Sequence, residues 1–363
     1  MRKLIIVMIT TLLSLQQLSA QEPVKIAVVG LTHSHVNWIL GREDIGDIEI
    51  VGIVEPNTGL AERYLTRHGL SMDLVFNDME SLFEKVSPEA VTAFGSIYEH
   101  LEVVQACAPR GIHVMVEKPL AVSMEHARKM EALAREHKIH LLTNYETTWY
   151  ASNHEVKKRL ADHSAIGSLR RVVINDGHEG PKEIGVNQEF LDWLTDPVLN
   201  GGGAVIDFGC YGANLMTWLM DGQKPLSVTA ELKQIKPDIY PKVDDEATIL
   251  LEYPKTQGVI QASWNWPFSR KDMEVYGSTG YYIAKNNTHL VSRETGESQE
   301  ESETLSQRAY PFDDPFSYLA AVVRGKVKVS ANDLSSLENN MVVVEILDAA
   351  KESAKKGERI YLK

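Results

Sequence analysis

The sequence predicts a two-domain α/β protein: a parallel sheet with helices on both faces, then an α+β domain built on a large, mostly antiparallel sheet. Three observations carry this. The chain has 363 residues, which exceeds the roughly 100–200 residues of one ordinary domain. Up to about residue 145 short apolar runs alternate with segments of helical spacing, the signature of β-α units. Beyond that point strand-like runs follow one another across short turns, which is how an antiparallel sheet is written. The expected divisions are 1–20, 21–145 and 146–363.

The first twenty residues read as a secretory signal peptide. Arg2 and Lys3 precede an apolar run from Leu4 to Leu15, and Leu18-Ser19-Ala20 offers a small-residue cleavage site before Gln21. The run falls short of the ~20 residues that a membrane span needs, so a periplasmic or secreted chain with no span in its mature form is expected. A net charge of −13 excludes a phosphate-backbone binder, because nucleic acid is held by clustered Lys and Arg. Cys107 and Cys210 lie in apolar stretches of different domains and are expected as two buried free thiols.

The elements follow in order. Val24 to Val29 is a buried strand ending at Gly30, and a helical stretch runs from about His35 to Leu40. Ile48 to Val54 is a second strand, ending at Glu55. Ala90 to Phe94 and Ile112 to Val116 are two more, joined by a helix carrying Leu101, Val104 and Ala108 that Gly111 closes. Ser123 caps a helix whose buried stripe is Ala127, Met130, Leu133 and Ala134. Ile139 to Leu142 completes the first domain. In the second, strands are expected over residues 169–175, 226–234, 246–253, 257–264 and 271–276. One internal helix begins after Gly201-Gly202-Gly203. The acidic run of Glu297, Glu300, Glu301 and Glu303 is expected as a solvated loop, and a long helix from about Leu337 to Ala354 closes the fold.

A strand that runs into a glycine and then a helix is where a pyrophosphate sits in a Rossmann domain. Here the loop reads Gly30-Leu31-Thr32-His33-Ser34-His35, with only the first glycine of G-x-G-x-x-G. The hydroxyls of Thr32 and Ser34 are expected to replace part of what the missing glycines provide. Glu55, 25 residues after Gly30 at the end of the second strand, is placed to accept from a ribose 2′-hydroxyl and to repel a 2′-phosphate, favouring NAD over NADP. His33 and His35 form a His-x-His pair, but no further ligand accompanies them at fixed spacing, so no metal centre is expected.

Glu117-Lys118-Pro119 directly follows a strand, some 88 residues beyond Gly30, and His100 heads the preceding helix. With this motif the chain resembles the Gfo/Idh/MocA oxidoreductases, the glucose–fructose oxidoreductase and inositol dehydrogenase family, from about Val24 to the C-terminus. The resemblance implies an NAD-binding Rossmann domain, with Gly95, Ser96, His100, Glu117 and Lys118 joining the loop residues and Glu55 around the cofactor. It implies that Lys118 reaches the substrate oxygen beside the nicotinamide, and that Pro119 follows a special peptide bond. The segment Asp207-Phe208-Gly209-Cys210-Tyr211-Gly212-Ala213-Asn214 matches the family's second signature, with Tyr211 in place of its histidine and Asn214 in place of its second aspartate. Asp207, Lys118 and Tyr211 are thus the expected catalytic set. Tyr211 would relay a proton if the Lys118 ammonium lowers its pKa. The family's Thr-Pro-Asn is replaced by Gly95-Ser96-Ile97, and the arginine usual after the sixth strand is missing from Tyr145-Glu146-Thr147-Thr148-Trp149. These departures put loose cofactor exchange in doubt.

His178, in a Gly-flanked polar loop, and Trp264 and Trp266, at the end of a strand, are expected to meet a carbohydrate-like substrate on the open face of the second sheet. That face is also where a second copy would pair. Three functions stay open: redox chemistry on a sugar or sugar-like polyol or ketose, a glycosidase that oxidises its substrate transiently, eliminates and re-reduces, and a non-catalytic sugar-binding homologue.

Overall fold

The first sheet assembles from strands with no polar face, because helices cover both sides. A computed structural model describes residues 22–362; the expected signal peptide lies outside them. In chain order the first half comprises β1 (Val24–Val29), α1 (Val36–Leu40), β2 (Ile48–Val54), α2 (Thr58–His68), β3 (Val75–Phe76), α3 (Met79–Lys85), β4 (Ala90–Ala93), α4 (His100–Cys107), β5 (His113–Glu117), α5 (Met124–His137) and β6 (Leu141–Asn144). All pairings are parallel, in the order β3-β2-β1-β4-β5-β6. The order reverses between β1 and β4, and such a switch point leaves a crevice at the strands' carboxyl ends. Gly30 and Gly95 both lie there. Ser123 caps α5 as expected, accepting from His126 N at 3.4 Å.

The second half comprises α6 (Ala151–Arg159), β7 (Arg171–Gly177), α7 (Gln188–Leu194), α8 (Ala204–Asp207), α9 (Gly209–Leu219), β8 (Ser227–Lys233), β9 (Glu246–Glu252), β10 (Gln257–Ser263), β11 (Arg270–Tyr276), β12 (Tyr281–Ala284), β13 (His289–Arg293), β14 (Glu301–Thr304), α10 (Pro315–Val323), α11 (Leu337–Lys356) and β15 (Ile360–Tyr361). Nine strands form one sheet, in the order β14-β13-β12-β11-β7-β10-β9-β8-β15. It is antiparallel except where β7 and β10 run parallel. Helices α8, α9 and α11 cover one face, and Gly212 lets α9 approach Ile260 of β10, where a Cβ would lie 2.4 Å from that side chain.

Two details differ from the sequence reading. Part of the acidic run is not loop: Glu301–Thr304 forms the edge strand β14, whose exposed Glu301 suits an edge that must not recruit another strand, while Glu303 pairs with Arg159. The stretch 146–363 is not self-contained, because Phe316 and Leu319 of α10 share a core with Val24, Ile26 and Val28 of β1. Arg42 reinforces this return by pairing with both Asp47 and Asp314. Both cysteines are buried and free, and among the described residues no helix is long and apolar enough to cross a membrane.

Candidate active site

Two concavities flank the loop Gly30–His35. The first is a cleft of ≈ 330 Å³ at the carboxyl ends of β1, β2 and β4, lined by Gly30, Thr32, Glu55, Gly95, Ser96 and His100 among others. Gly30 adopts φ +79°, and a Cβ on it would stand 2.6 Å from Gly95 N, so the two loops meet through backbone alone. Glu55 is buried at the cleft wall, where its carboxylate accepts from Leu31 N at 3.0 Å and Asn57 N at 2.8 Å. Burial raises its pKa, against the pull of those two hydrogen bonds. His100 Nδ1 faces Leu120 O at 3.2 Å, and its buried Nε2 has no partner. Burial lowers this imidazole to about 4, so it is neutral.

The second, smaller cavity lies where the loop meets the other domain. His33, Ser34, His35, Lys118, His178, Asp207, Phe208, Tyr211 and Lys271 line it in part. Asp207 and Tyr211 reach it from two short helices broken at Phe208. The triple glycine before them has a local cause. A Cβ on Gly203 would lie 1.7 Å from Asp244 O, while the Asp244 carboxylate accepts from Gly203 N at 2.8 Å and Val205 N at 2.7 Å. Asp244 thereby caps the helix that presents Asp207.

At the centre Lys118 pairs with Asp207 through Oδ1 and donates to its carbonyl oxygen at 3.0 Å. Trp264 Nε1 donates to the other carboxylate oxygen at 2.9 Å. Burial alone would neutralise both charges; instead the Lys118 ammonium holds Asp207 down at about 2, and Asp207 keeps Lys118 charged above its ordinary range. The Lys118–Pro119 peptide bond is cis. A second pair, Lys271 with Glu146, stands beside it, and both ammonium groups lie near the Tyr211 ring, at 5.2 Å for Lys118 and 4.8 Å for Lys271. Asp176 is the cross-strand neighbour of Lys271, and burial holds its carboxyl well above the usual range. His178 packs edge-on against Phe208 and accepts from Gly180 N at 2.9 Å.

Several expectations need correction. Burial raises the Tyr211 phenol well above its ordinary value, reinforced by Glu146 and Asp176, so the lowered pKa expected from Lys118 is not found. Tyr211 stays protonated and is a hydrogen-bond donor. Trp264 is wholly buried; its indole supports Asp207 and packs against Tyr240 instead of meeting a substrate. Trp266 packs over Gly177, outside the lining of the cavity. Asn214 donates to Leu334 O at 2.8 Å, a tie to the segment before α11 away from the cavity. The Thr32 hydroxyl is already engaged, donating to Phe94 O and accepting from Trp193 Nε1 at 3.0 Å, and the Ser96 hydroxyl donates to Glu99. His33 is buried against Phe190 and Trp193. The His-x-His pair also has a third neighbour: Glu117, whose Oε2 lies 3.0 Å from His35 Nδ1. Sequence spacing missed it because 82 residues separate the two.

Lys271, Glu146 and Asp176 were not foreseen. The signal for Lys271 and Asp176 was parity: Lys271 shares its strand face with buried Met273 and Val275, and Asp176 with Val172 and Ile174. A charge on the inward face near a strand end points into a site, not into solvent.

The first cleft fits a dinucleotide. It has glycine-only backbone approach, apolar walls from Val29, Val54 and Met79, a carboxylate at the end of β2 and a buried imidazole nitrogen without a partner. Comparison with known proteins agrees. Residues 24–145 match the model of an oxidoreductase family with an NAD-binding Rossmann fold, and residues 154–283 match the GFO/IDH/MocA C-terminal domain. The trans-1,2-dihydrobenzene-1,2-diol dehydrogenase of Sus scrofa is 25% identical over 239 residues, 66% of each chain. That of Xenopus laevis is 26% identical over 221 residues, 60% of this chain and 61% of its own. The matched region therefore spans somewhat less than two thirds of these relatives. Among solved structures, the aldose-aldose oxidoreductase of Caulobacter crescentus shares 18% identity with a TM-score of 0.78, covering 94% of this chain and 100% of that one. An inositol dehydrogenase homologue of Azotobacter vinelandii complexed with NAD+ shares 18% identity with a TM-score of 0.80, covering 94% and 98%. At such identities the likeness is one of fold. With both of its domains matched in sequence, the chain belongs to the GFO/IDH/MocA oxidoreductase family.

Proposed function

We propose that this chain catalyses hydride transfer between a nicotinamide dinucleotide and a hydroxyl-bearing carbon of a sugar or sugar-like polyol. The observation that carries the reading is the buried Lys118–Asp207 pair opening on a cavity directly beyond the loop that borders the nucleotide cleft. The cofactor supplies the hydride acceptor. Around it the backbone at Gly30 and Gly95 admits the phosphates, and Glu55 receives the adenosine ribose. Leu31 N and Asn57 N already occupy part of that carboxylate, and its negative charge disfavours a 2′-phosphate, so NAD is the proposed partner over NADP.

An ammonium has three donors, and Asp207 takes two contacts from Lys118. The remaining N–H is available to a substrate oxygen that gains negative charge as its proton leaves, or as hydride arrives in the reverse reaction, which is where a fixed positive charge is most effective. Tyr211 donates a second hydrogen bond, and His178 and Phe208 offer a polar edge and an apolar face to a ring carrying many hydroxyls.

One feature favours a cycle that keeps its cofactor. Helix α7 and its N-cap Asn187 latch onto the nucleotide loop through Trp193 Nε1 to Thr32 Oγ1, and onto α2 through Asn187 Nδ2 to Tyr64 Oη at 3.0 Å and an Arg63–Glu189 ion pair. A retained dinucleotide suits the second reading, a glycosidase that oxidises, eliminates and re-reduces in one site. The same proposal includes export, from the sequence of residues 1–20, and pairing of two copies over the row Leu250, Val259 and Val173 on the sheet's open face. A non-catalytic binding role fits less well, since it gives no reason for a charged pair buried at the cavity.

The test is the absorption spectrum and extractable cofactor of the purified protein, before and after adding D-glucose or myo-inositol. Bound NAD(H) whose NADH band rises with the polyol supports the redox enzyme. Bound cofactor with no net change but released aglycone from a glycoside supports the second reading. No dinucleotide bound or bindable refutes both.

A further inference from the structure

Because Tyr211 is held protonated, alcohol oxidation at this cavity needs another group to accept the hydroxyl proton. The nucleotide loop offers one. His35 lines the cavity, and its Nδ1 lies 3.0 Å from Glu117 Oε2. Glu117 is itself fixed: Asn144 Nδ2 donates to its Oε1 at 2.7 Å, and Trp149 Nε1 donates to Asn144 Oδ1 at 3.0 Å. A carboxylate accepting from Nδ1–H selects the imidazole tautomer whose Nε2 carries the lone pair, and it stabilises the cation formed when that nitrogen takes a proton. The ring is held from the side by stacking on Trp38 at 3.7 Å. Burial first, then Lys118 and Lys271, keep the resting ring neutral.

We propose that His35 Nε2 is the proton acceptor in the alcohol oxidation proposed above, and that Glu117 is the residue that positions it. The proposal rests on that oxidoreductase reading. In the step, the substrate O–H bond breaks with its proton passing to Nε2. The carbinol C–H bond breaks with its electron pair passing as hydride to the oxidised nicotinamide cofactor. A C=O bond forms, and reduction runs the same transfers backwards. The arrangement supplies what α9 lacks, since Tyr211 stands there in place of the histidine of the family's second signature.

The rival use of these groups is a metal centre, since His33, His35 and Glu117 present ligand atoms within 4.8 Å of one another. The hydrogen bonds weigh against it. His33 Nδ1 accepts from His35 N at 3.1 Å, which leaves the proton of the neutral ring on Nε2, and the charged Lys118 ammonium stands beside the cluster.

The test uses full-length mature protein. Nitrogen NMR of labelled imidazoles should show His35 with a protonated Nδ1 and a bare Nε2, and Glu117→Gln should disturb that tautomer while Glu117→Asp restores it. His35→Asn keeps a donor for Glu117 and removes the acceptor. At saturating NAD+ it should lower single-turnover reduction of NAD+ by D-glucose or myo-inositol by ~10²–10⁴-fold and recover in part when imidazole is added. A protonated Nε2, or stoichiometric Zn2+ that is lost on His33→Ala, overturns the proposal whatever the turnover. Near-normal hydride transfer in a folded His35→Asn protein overturns the acceptor role and leaves the oxidoreductase reading intact. A wild-type protein with the stated tautomer but no cofactor binding or turnover removes that reading, and the acceptor role with it.

Discussion

The two concavities beside the nucleotide loop are built on different physics. The cleft over β1, β2 and β4 is shaped by backbone: Gly30 touches Gly95, and Glu55, the carboxylate at the end of β2, is satisfied by two main-chain N–H groups. The cavity between the domains is shaped by charge. Lys118 faces Asp207 in a pair buried deeply enough that its members depend on each other, and Lys271 faces Glu146 in a half-buried pair beside it. A backbone-built site tolerates loss of a side chain and preserves its shape. A charge-built site does not, because removing one partner strands the other without water.

Stability measurements on two carboxylates make that contrast quantitative. Asp207→Ala leaves the buried Lys118 ammonium without its partner and should cost ~3–5 kcal/mol. Glu55→Ala leaves Leu31 N and Asn57 N without an acceptor and should cost ~1–3 kcal/mol, with weaker NAD binding and a narrower gap to NADP. Urea unfolding of both variants checks the order. Equal losses would mean that the cavity is no more dependent on charge than the cleft.

A smaller effect separates the two by pH. The Asp207 carboxyl is depressed from 3.8 to about 2 in the folded protein, so its contribution is present above the unfolded value and is lost as pH falls through about 2. Glu55 shifts the other way. Its folded pKa is raised above 4.5 by burial, so ionising it costs stability as pH rises through that raised value. Acid unfolding curves of wild type and the two variants should differ with opposite sign: Asp207→Ala flattens the acid limb, and Glu55→Ala removes a loss on the rising side. Curves displaced in the same direction would contradict the assignment.

The same division explains what could be read from the chain. The first sheet was legible because its strands are buried on both faces and its helices carry plain caps, as Ser123 does for α5. Lys118, Asp207 and Tyr211 came from motif resemblance, and the structure brings all three to one cavity. The role of Tyr211 was misjudged because the neighbouring ammonium was counted and burial was not. Trp264 was misplaced because it was assigned to the open face, whereas it continues the buried face of Gly258, Ile260 and Ala262 and its indole reaches Asp207. Lys271 with Asp176, and His35 with Glu117, meet through strand register and loop packing across long separations, which residue spacing does not encode. The edge strand β14 escaped notice for a simpler reason: it buries little, so its pattern resembles a loop.

The central claim is that cleft and cavity act on one substrate carbon, with Lys118 stabilising the oxygen as hydride crosses from one to the other. Single-turnover hydride transfer, followed by NADH absorbance in Lys118→Ala and wild-type protein saturated with NAD+, tests it most directly. The account predicts a fall of at least ~10²-fold, the scale of losing one oxyanion donor, with NAD+ affinity unchanged because the proposed nucleotide cleft is lined by other residues, on the other side of the loop. A near-normal rate in the variant, or a loss explained wholly by weaker NAD+ binding, would contradict it.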